Sequence, residues 1–340
     1  MNPTRLTYIF LFAAFGWTLT AFIDRPSASV AWPEPTYNFK RNPLDSAKIA
    51  LGRWLFYDPI LSKDSTISCA SCHSPYTAFA HNDHALSHGI YDRIGNRNAP
   101  ALSNLAWNKS FMWDGSVNHL DVQGLAPLEN PLEMDEKLIH VIQKLQRLSK
   151  YRNKFKLAFG SEEITGERVL KALAQFQLTL VSNKSKYDLV MDGKATFTEA
   201  ETNGYKVFQQ HCASCHKEPL FTDQSFQNNG LKPDSVLRDI GRMKVTNKAS
   251  DSLKFKVPSL RNCDRTGPYM HDGRYNSLQM VLFHYSSNIH NSKTLHASLK
   301  QGLPLSEADK KQLIAFLKTL TDQTFLNNKQ HQFPMDLLKK

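Results

Sequence analysis

The chain has 340 residues, room for about two domains of ordinary size. Hydrophobic residues make up 41% and charged residues 21%, which excludes wholesale disorder; a mean hydropathy of −0.44 excludes a multi-span membrane protein, and five cysteines are too few for a disulfide scaffold. The 42 basic against 31 acidic side chains, +11 net, suit nucleic acid, an anionic membrane or an acidic protein partner, and composition does not choose among these.

Residues 1–25 begin with a single charge, Arg5, and an apolar stretch from Leu6 to Ile23. This is the form of a secretory signal peptide. No clear small-x-small cleavage site follows, so an uncleaved N-terminal membrane anchor is the second reading and a buried helix the third. Either of the first two implies export, with a periplasmic location, soluble or anchored. The absence of a nearby cysteine excludes a lipoprotein.

Val30 to Arg41 is aperiodic and reads as an extended lead-in. Ser46 to Tyr57 is amphipathic, with Ile49, Trp54 and Leu55 on one helical face. His81 to Pro100 is rich in His, Asn, Asp, Gly and Arg and reads as a long functional loop. A helix is predicted over Asp135 to Leu148, with Leu138, Ile139, Ile142 and Leu145 inward, and another over Thr165 to Val181, with Val169, Leu173, Phe176 and Leu180 inward. The polar stretch Ser182 to Thr196 is a candidate boundary. Thr198 and Glu201 form a capping box that opens a helix with Tyr205 and Phe208 inward. The stretch through Ser252 reads as irregular. Ser306 and Asp309 cap a last helix carrying Leu313, Ile314, Leu317 and Leu320. There is almost no strand signal. The expected fold is mainly α, with a division at residues 26–190 and 191–340.

Each half holds one Cys-x-x-Cys-His: Cys69, Cys72 and His73 in the first, Cys212, Cys215 and His216 in the second. This pentapeptide attaches a c-type haem. The two thiols add to the vinyl groups, and the histidine supplies the proximal nitrogen to the iron. Zinc would need the four cysteines to converge and gives no reason for a histidine after each pair. A redox dithiol usually sits on a βαβ frame, which the pattern lacks. Cys263 reads as a buried structural thiol. The motif histidines are 143 positions apart, a loose duplication rather than a short-period repeat. No nucleic-acid partner is expected.

Several further segments together resemble the bacterial di-haem cytochrome c peroxidase family, including its MauG-type (methylamine utilisation) branch. They are Leu51-Gly-Arg-Trp-Leu-Phe-Tyr-Asp58, Thr66 to His73, Asn98-Ala-Pro-Ala-Leu102, Trp113-Asp-Gly115, Gln123, and Asn130-Pro-Leu-Glu-Met134. In the second half they are Cys212 to His216, Val257 to Asn262, and Gly267-Pro-Tyr-Met-His-Asp-Gly273. The resemblance implies two cytochrome c-like helical domains, each with one covalently bound haem: a peroxidatic haem over His73 and an electron-accepting haem over His216. It makes Glu133 the acid-base residue on the open face of haem 1, beside Gln123 and Pro127, and places Trp113 between the haems. It implies one Ca²⁺ at Asn98, Thr266 and Pro268.

Two positions depart from the peroxidase pattern. Where typical members carry a methionine as the distal ligand of haem 2, this chain has Tyr285, a feature of the MauG-type branch, with His284, Met280 and Met270 as rival ligands. His88 resembles a histidine that blocks haem 1 in members requiring reductive activation, but His81 and His84 share its loop. The leading expectation is therefore an exported peroxidase that reduces H₂O₂ with electrons from a small cytochrome c or cupredoxin. The alternatives are a MauG-type oxidase that uses H₂O₂ to modify a protein substrate, and a non-enzymatic di-haem electron carrier.

Overall fold

The computed structural model describes residues 32–338; the signal or anchor expected at residues 1–25 lies outside them. Among the described residues no helix is long and apolar enough to cross a membrane. The fold is mainly helical. The longer helices are α1 (Ser46–Tyr57), α2 (Leu138–Gln146), α3 (Ser149–Phe159), α4 (Gly166–Leu178), α5 (Lys186–Met191), α6 (Glu199–His211), α7 (Leu278–Ser287) and α8 (Glu307–Lys318). Among the described residues the only sheet is an antiparallel ribbon of β1 (Phe226–Gln227) and β2 (Phe255–Lys256).

Local chemistry sets the helix starts. Asp45 caps α1 by accepting from Lys48 N, Thr165 caps α4 from Arg168 N, and Thr198 with Glu201 and Ser306 with Asp309 form capping boxes on α6 and α8. The α2 region differs from its sequence reading. The helix is shorter, a second helix α3 follows at once, and Val141 and Leu145 are the buried positions while Ile139 is 55% exposed. The apolar run holds two adjacent rows, and the row through Leu138, Val141, Ile142 and Leu145 faces the core. The polar stretch Ser182 to Thr196 also contains α5, capped by Ser185.

Two cores result. The first gathers Leu51, Leu55, Phe56, Phe79, Tyr151, Phe155 and Phe176; the second gathers Tyr187, Phe208, Phe221, Leu313 and Phe316. Each such side chain stabilises by about 1.5–3 kcal/mol when fully buried. In the first unit α1 crosses α4, and in the second α6 crosses α8. A glycine sits at each crossing. A Cβ on Gly52 would lie 1.8 Å from the Ala172 carbonyl oxygen, and one on Gly204 1.9 Å from that of Gln312.

The chain does not divide cleanly at one point. Tyr187 belongs to the second core, while Phe325 and Leu326 join the first. The last described residues return to α1: Tyr57 Oη donates to the His331 carbonyl at 2.6 Å and Trp54 Nε1 to Asp336 at 3.0 Å. Between the units the contacts are reciprocal. Asn98 N donates to the His271 carbonyl at 2.7 Å, and Lys256 N to the Trp113 carbonyl at 2.8 Å. Arg97 adds a bidentate pair to Asp239, at 2.6 and 2.9 Å, while also holding Asp114 at 2.7 Å.

Candidate functional site

Both Cys-x-x-Cys-His segments wall one continuous cavity of about 690 Å³. In the first unit Cys69–Cys72 form a single helical turn, closed at its start by Ser68 and Ser71. His73 follows, and its Nδ1 lies 2.8 Å from the Phe79 carbonyl. In the second unit His216 Nδ1 lies 3.1 Å from the Phe221 carbonyl and 3.2 Å from that of Pro258. A carbonyl accepts only, so Nδ1 carries the proton in each ring and Nε2 keeps its lone pair. Burial pushes His73 down to about 4 and lowers His216 as well, which holds both rings neutral. Burial pushes the thiols of Cys69 and Cys212 up to about 12 and that of Cys72 up to about 11. Among the described residues no group of three or more His, Cys, Asp or Glu is arranged to hold a metal ion. A thiol pair beside a neutral imidazole of fixed tautomer, facing an apolar-walled cavity, fits covalent haem, and it occurs twice.

Glu133, Gln123, Pro127 and Trp113 line the same cavity. Glu133 is carried by a tight loop in which its amide bonds to the Asn130 carbonyl and its carbonyl accepts from Ile90 N at 2.9 Å. Gly89 permits this approach: a Cβ there would lie 2.2 Å from the Leu132 carbonyl oxygen. Ser87 Oγ donates to Glu133 Oε1 at 3.3 Å. Burial dominates and holds the carboxyl above its ordinary range. Gln123 reaches Met112 Sδ at 3.9 Å, and Trp113 Nε1 donates to the Asn98 carbonyl at 2.8 Å.

Tyr285 also lines the cavity, and burial together with Cys212 and Cys215 pushes its phenol up to about 12. Its rivals stand differently. His284 is fully buried with Nε2 3.0 Å from the Asn229 carbonyl and Nδ1 3.4 Å from Tyr275 Oη, so both ring nitrogens face protein partners. Met280 is 42% exposed. Met270 does line the cavity, with Asn229 Nδ2 3.4 Å from its sulfur. His88 is stacked on His84 at 4.1 Å between ring centroids, with His81 alongside, and is absent from the cavity lining; its carbonyl accepts from Cys72 Sγ. Asn98, Thr266 and Pro268 share one cavity, and Asn98 Nδ2 is committed to the Ala85 carbonyl at 3.0 Å. Cys263 is buried in the second core, with its thiol pushed up to about 12.

The structure also shows a duplication finer than the 143-residue spacing. Asn98 to Pro127 matches Lys256 to Tyr285 at a constant offset of 158, seen in Pro100 and Pro258, Leu102 and Leu260, Asn104 and Asn262, and Met112-Trp-Asp-Gly115 and Met270-His-Asp-Gly273. Asn104 and Asn262 both adopt positive φ, and their amides donate to the Leu180 and Leu320 carbonyls. Phe111 bridges Val117 as Tyr269 bridges Tyr275. By this register the helix start at Leu120 matches that at Leu278, and Pro127 occupies the position of Tyr285. Sequence reading missed this register, along with Arg97 and Lys256. The repeated Met-x-Asp-Gly was the available signal.

The family model for di-haem cytochrome c peroxidase matches residues 46–196. The chain is 38% identical to the methylamine utilization protein MauG of Methylorubrum extorquens, over 85% of this chain and 82% of that protein. It is 35% identical to the cytochrome c551 peroxidase of Nitrosomonas europaea, over 85% and 84%. Among solved structures, a MauG-like protein associated with microbial copper homeostasis superposes with a TM-score of 0.83 at 30% identity, covering 92% of this chain and 99% of that one.

Proposed function

Because the chain belongs to the di-haem cytochrome c peroxidase family, we propose that it reduces H₂O₂ to water with electrons from a small cytochrome or cupredoxin. The balance is one peroxide, two electrons and two protons to two waters. Residues 26–190 would hold the peroxidatic haem through Cys69, Cys72 and His73, and residues 191–340 the electron-accepting haem through Cys212, Cys215 and His216. When bound, haem iron supplies the redox chemistry. The protein's own residues hold it and move protons. His73 and His216 present Nε2 because a backbone carbonyl takes the proton on Nδ1. Pro127 has no donor atom in its side chain, so it would leave the first haem without a second protein ligand, whereas Tyr285 would offer one to the second.

Glu133 then does the proton work. Its carboxylate takes the proton from one peroxide oxygen and returns it to the other as the O–O bond breaks, so that oxygen leaves as water, and the donor's two electrons with two further protons carry the remaining oxygen to the second water. The raised pKa suits this exchange, since burial makes the carboxylate a stronger base than an exposed one. Gln123 orients the peroxide by hydrogen bonding, and Trp113 offers an aromatic bridge between the units. Asn98, Thr266 and Pro268 would hold Ca²⁺ with hard oxygen donors, and residues 1–25 would direct export to the periplasm.

The observation that carries the reading is the pairing of two Cys-x-x-Cys-His sites of one design on one cavity with a carboxylate, Glu133, near only the first of them. Tyr285 favours a second reading, in which H₂O₂ drives oxidation of a protein substrate as in the MauG-type branch, because a hard phenolate disfavours the reduced iron that ordinary turnover requires. Steady-state H₂O₂ consumption with reduced cytochrome c separates them. Rapid oxidation of the cytochrome supports the first reading. Peroxide-driven modification of a protein without cytochrome turnover supports the second, and neither outcome would leave a non-enzymatic carrier.

A further inference from the structure

Among the described residues, three Lys and Arg side chains that are not exposed line the cavity, and two are already neutralised there. Arg97 faces Asp114 and Asp239, and Arg261 makes a bidentate pair with Asp188 at 2.8 and 2.9 Å. Lys256 is different. Its ammonium donates to the Ser110 carbonyl at 2.8 Å and lies 5.9 Å from the centre of the Phe111 ring, and among the described residues no carboxylate pairs with it. Burial alone pushes it down to about 8. A cation taken from water without a counter-ion is unstable, and a fold that keeps one against a cavity leaves room for an anion.

The position of Lys256 narrows the anion's identity. It occupies β2, and its amide holds the Trp113 carbonyl, so its side chain stands where the two units meet. By the 158-residue register it matches Asn98, which makes the reciprocal bond to His271. Ser110 and Phe111 belong to the first unit and Lys256 to the second, so the ammonium spans the seam. The ligand class expected in this cavity is c-type haem, whose anionic substituents are its two propionates.

We propose that Lys256 is the counter-ion of a haem propionate, held at the seam between the units, and that its charge raises the reduction potential of that haem. The inference rests on the two-haem reading. A fixed positive charge near the macrocycle disfavours the oxidised iron more than the reduced iron, so removing it lowers the potential.

The test is a spectroelectrochemical titration of the full-length holoprotein after haem content has been measured. Lys256→Met removes the charge and Lys256→Gln removes it while keeping a donor for Ser110. Each should make one haem about tenfold easier to oxidise, a fall of about 59 mV, while Lys256→Arg should hold the wild-type value. Lys40→Met, an exposed lysine outside the cavity, changes net charge equally and should leave both potentials in place. A crystal structure of wild-type holoprotein gives a reading free of variants: Lys256 Nζ should lie within about 3.2 Å of a propionate oxygen. Unmoved potentials in both neutral variants, an equal shift in Lys40→Met, or an ammonium without a propionate contact would overturn the proposal. Fewer than two haems in the wild type would instead overturn the haem reading beneath it.

Discussion

In the first unit the helix before the haem motif crosses the last helix at Gly52, against Ala172 and Phe176; in the second the crossing falls at Gly204, against Gln312 and Phe316. Three residues after each of Phe176 and Phe316 stands a threonine, Thr179 or Thr319, whose hydroxyl donates back to the phenylalanine carbonyl at 2.6 Å. Each motif histidine is oriented by a carbonyl five or six residues on. The frame is thus one design used twice. The difference lies across the cavity, where one copy carries Pro127 and the half-buried acid Glu133 and the other carries Tyr285. On the proposed reading, the two units differ in the side chains that would face the open side of each haem, while the frame that carries each Cys-x-x-Cys-His is the same.

Removing the haems one at a time is the strongest way to break this comparison. Cys69→Ala with Cys72→Ala should delete one covalent haem and abolish peroxide turnover. Cys212→Ala with Cys215→Ala should delete the other and stop electron delivery from the donor while the first haem remains. Pyridine haemochrome spectra and intact mass read both outcomes, and loss of activity only in the second variant would reverse the assignment of the two units.

Glu133→Gln keeps the shape of the open face but removes its proton acceptor. Turnover should fall by about 10²- to 10⁴-fold with both haems in place. The pH profile follows from the direction of the shift. The basic form of Glu133 is present above its raised pKa and is lost as pH falls through it, so the acid limb of kcat/KM should lie above the ordinary glutamate range. A profile flat down to that range, or a wild-type rate in the variant, would leave Glu133 without this role.

The shared frame predicts matched stability effects. Gly52→Ala and Gly204→Ala each push a methyl into a backbone carbonyl, and overpacking of this kind costs about 1–3 kcal/mol. Thermal unfolding of the holoprotein should show both. A large loss at one crossing and none at the other would mean that only one unit depends on the close approach.

Much of this frame was legible before any coordinates. Helix caps at Thr198 and Ser306 have local causes, because a side chain bonds an amide three residues on. The two Cys-x-x-Cys-His motifs are contiguous and carry their chemistry in their spacing. What stayed hidden depends on residues distant in sequence. α2 has two adjacent apolar rows, so its periodicity did not decide which row faces the core. The tail at Phe325 to Asp336 docks on α1 across about 280 residues, which no local pattern reports. The 158-residue register hid because the two copies keep their turns, at Asn104 and Asn262 or Gly115 and Gly273, while the intervening side chains have changed.

Tyr285 sharpens the contrast on the distal side. Tyr285→Met exchanges a hard oxygen donor for a soft thioether, which favours the reduced iron. The potential of haem 2 should rise by at least about tenfold in its equilibrium constant, about 59 mV, and cytochrome-driven turnover should increase. Tyr285→Phe should change the haem 2 spectrum outright. If it does not, Met270 is the next candidate, since it lines the same cavity while His284 is already engaged on both nitrogens.

The smallest effect concerns how electrons reach the second unit. The net charge is unevenly shared: residues 191–340 carry 21 Lys and Arg against 14 Asp and Glu, and residues 26–190 carry 19 against 16. The unit proposed to accept electrons is therefore the more basic one, and an acidic donor should be steered towards it. Screening shortens that attraction, from a reach of about 30 Å at 0.01 M salt to about 8 Å at 0.15 M. The second-order rate with an acidic donor should fall several-fold over this range, and the rate with a donor of no net charge should stay level. Haem propionates offset part of the positive field, which keeps the expected drop small. Stopped-flow traces of donor oxidation at several ionic strengths give the slope. If the acidic donor is as indifferent to salt as the neutral one, the charge asymmetry between the units has no part in choosing the donor's docking face.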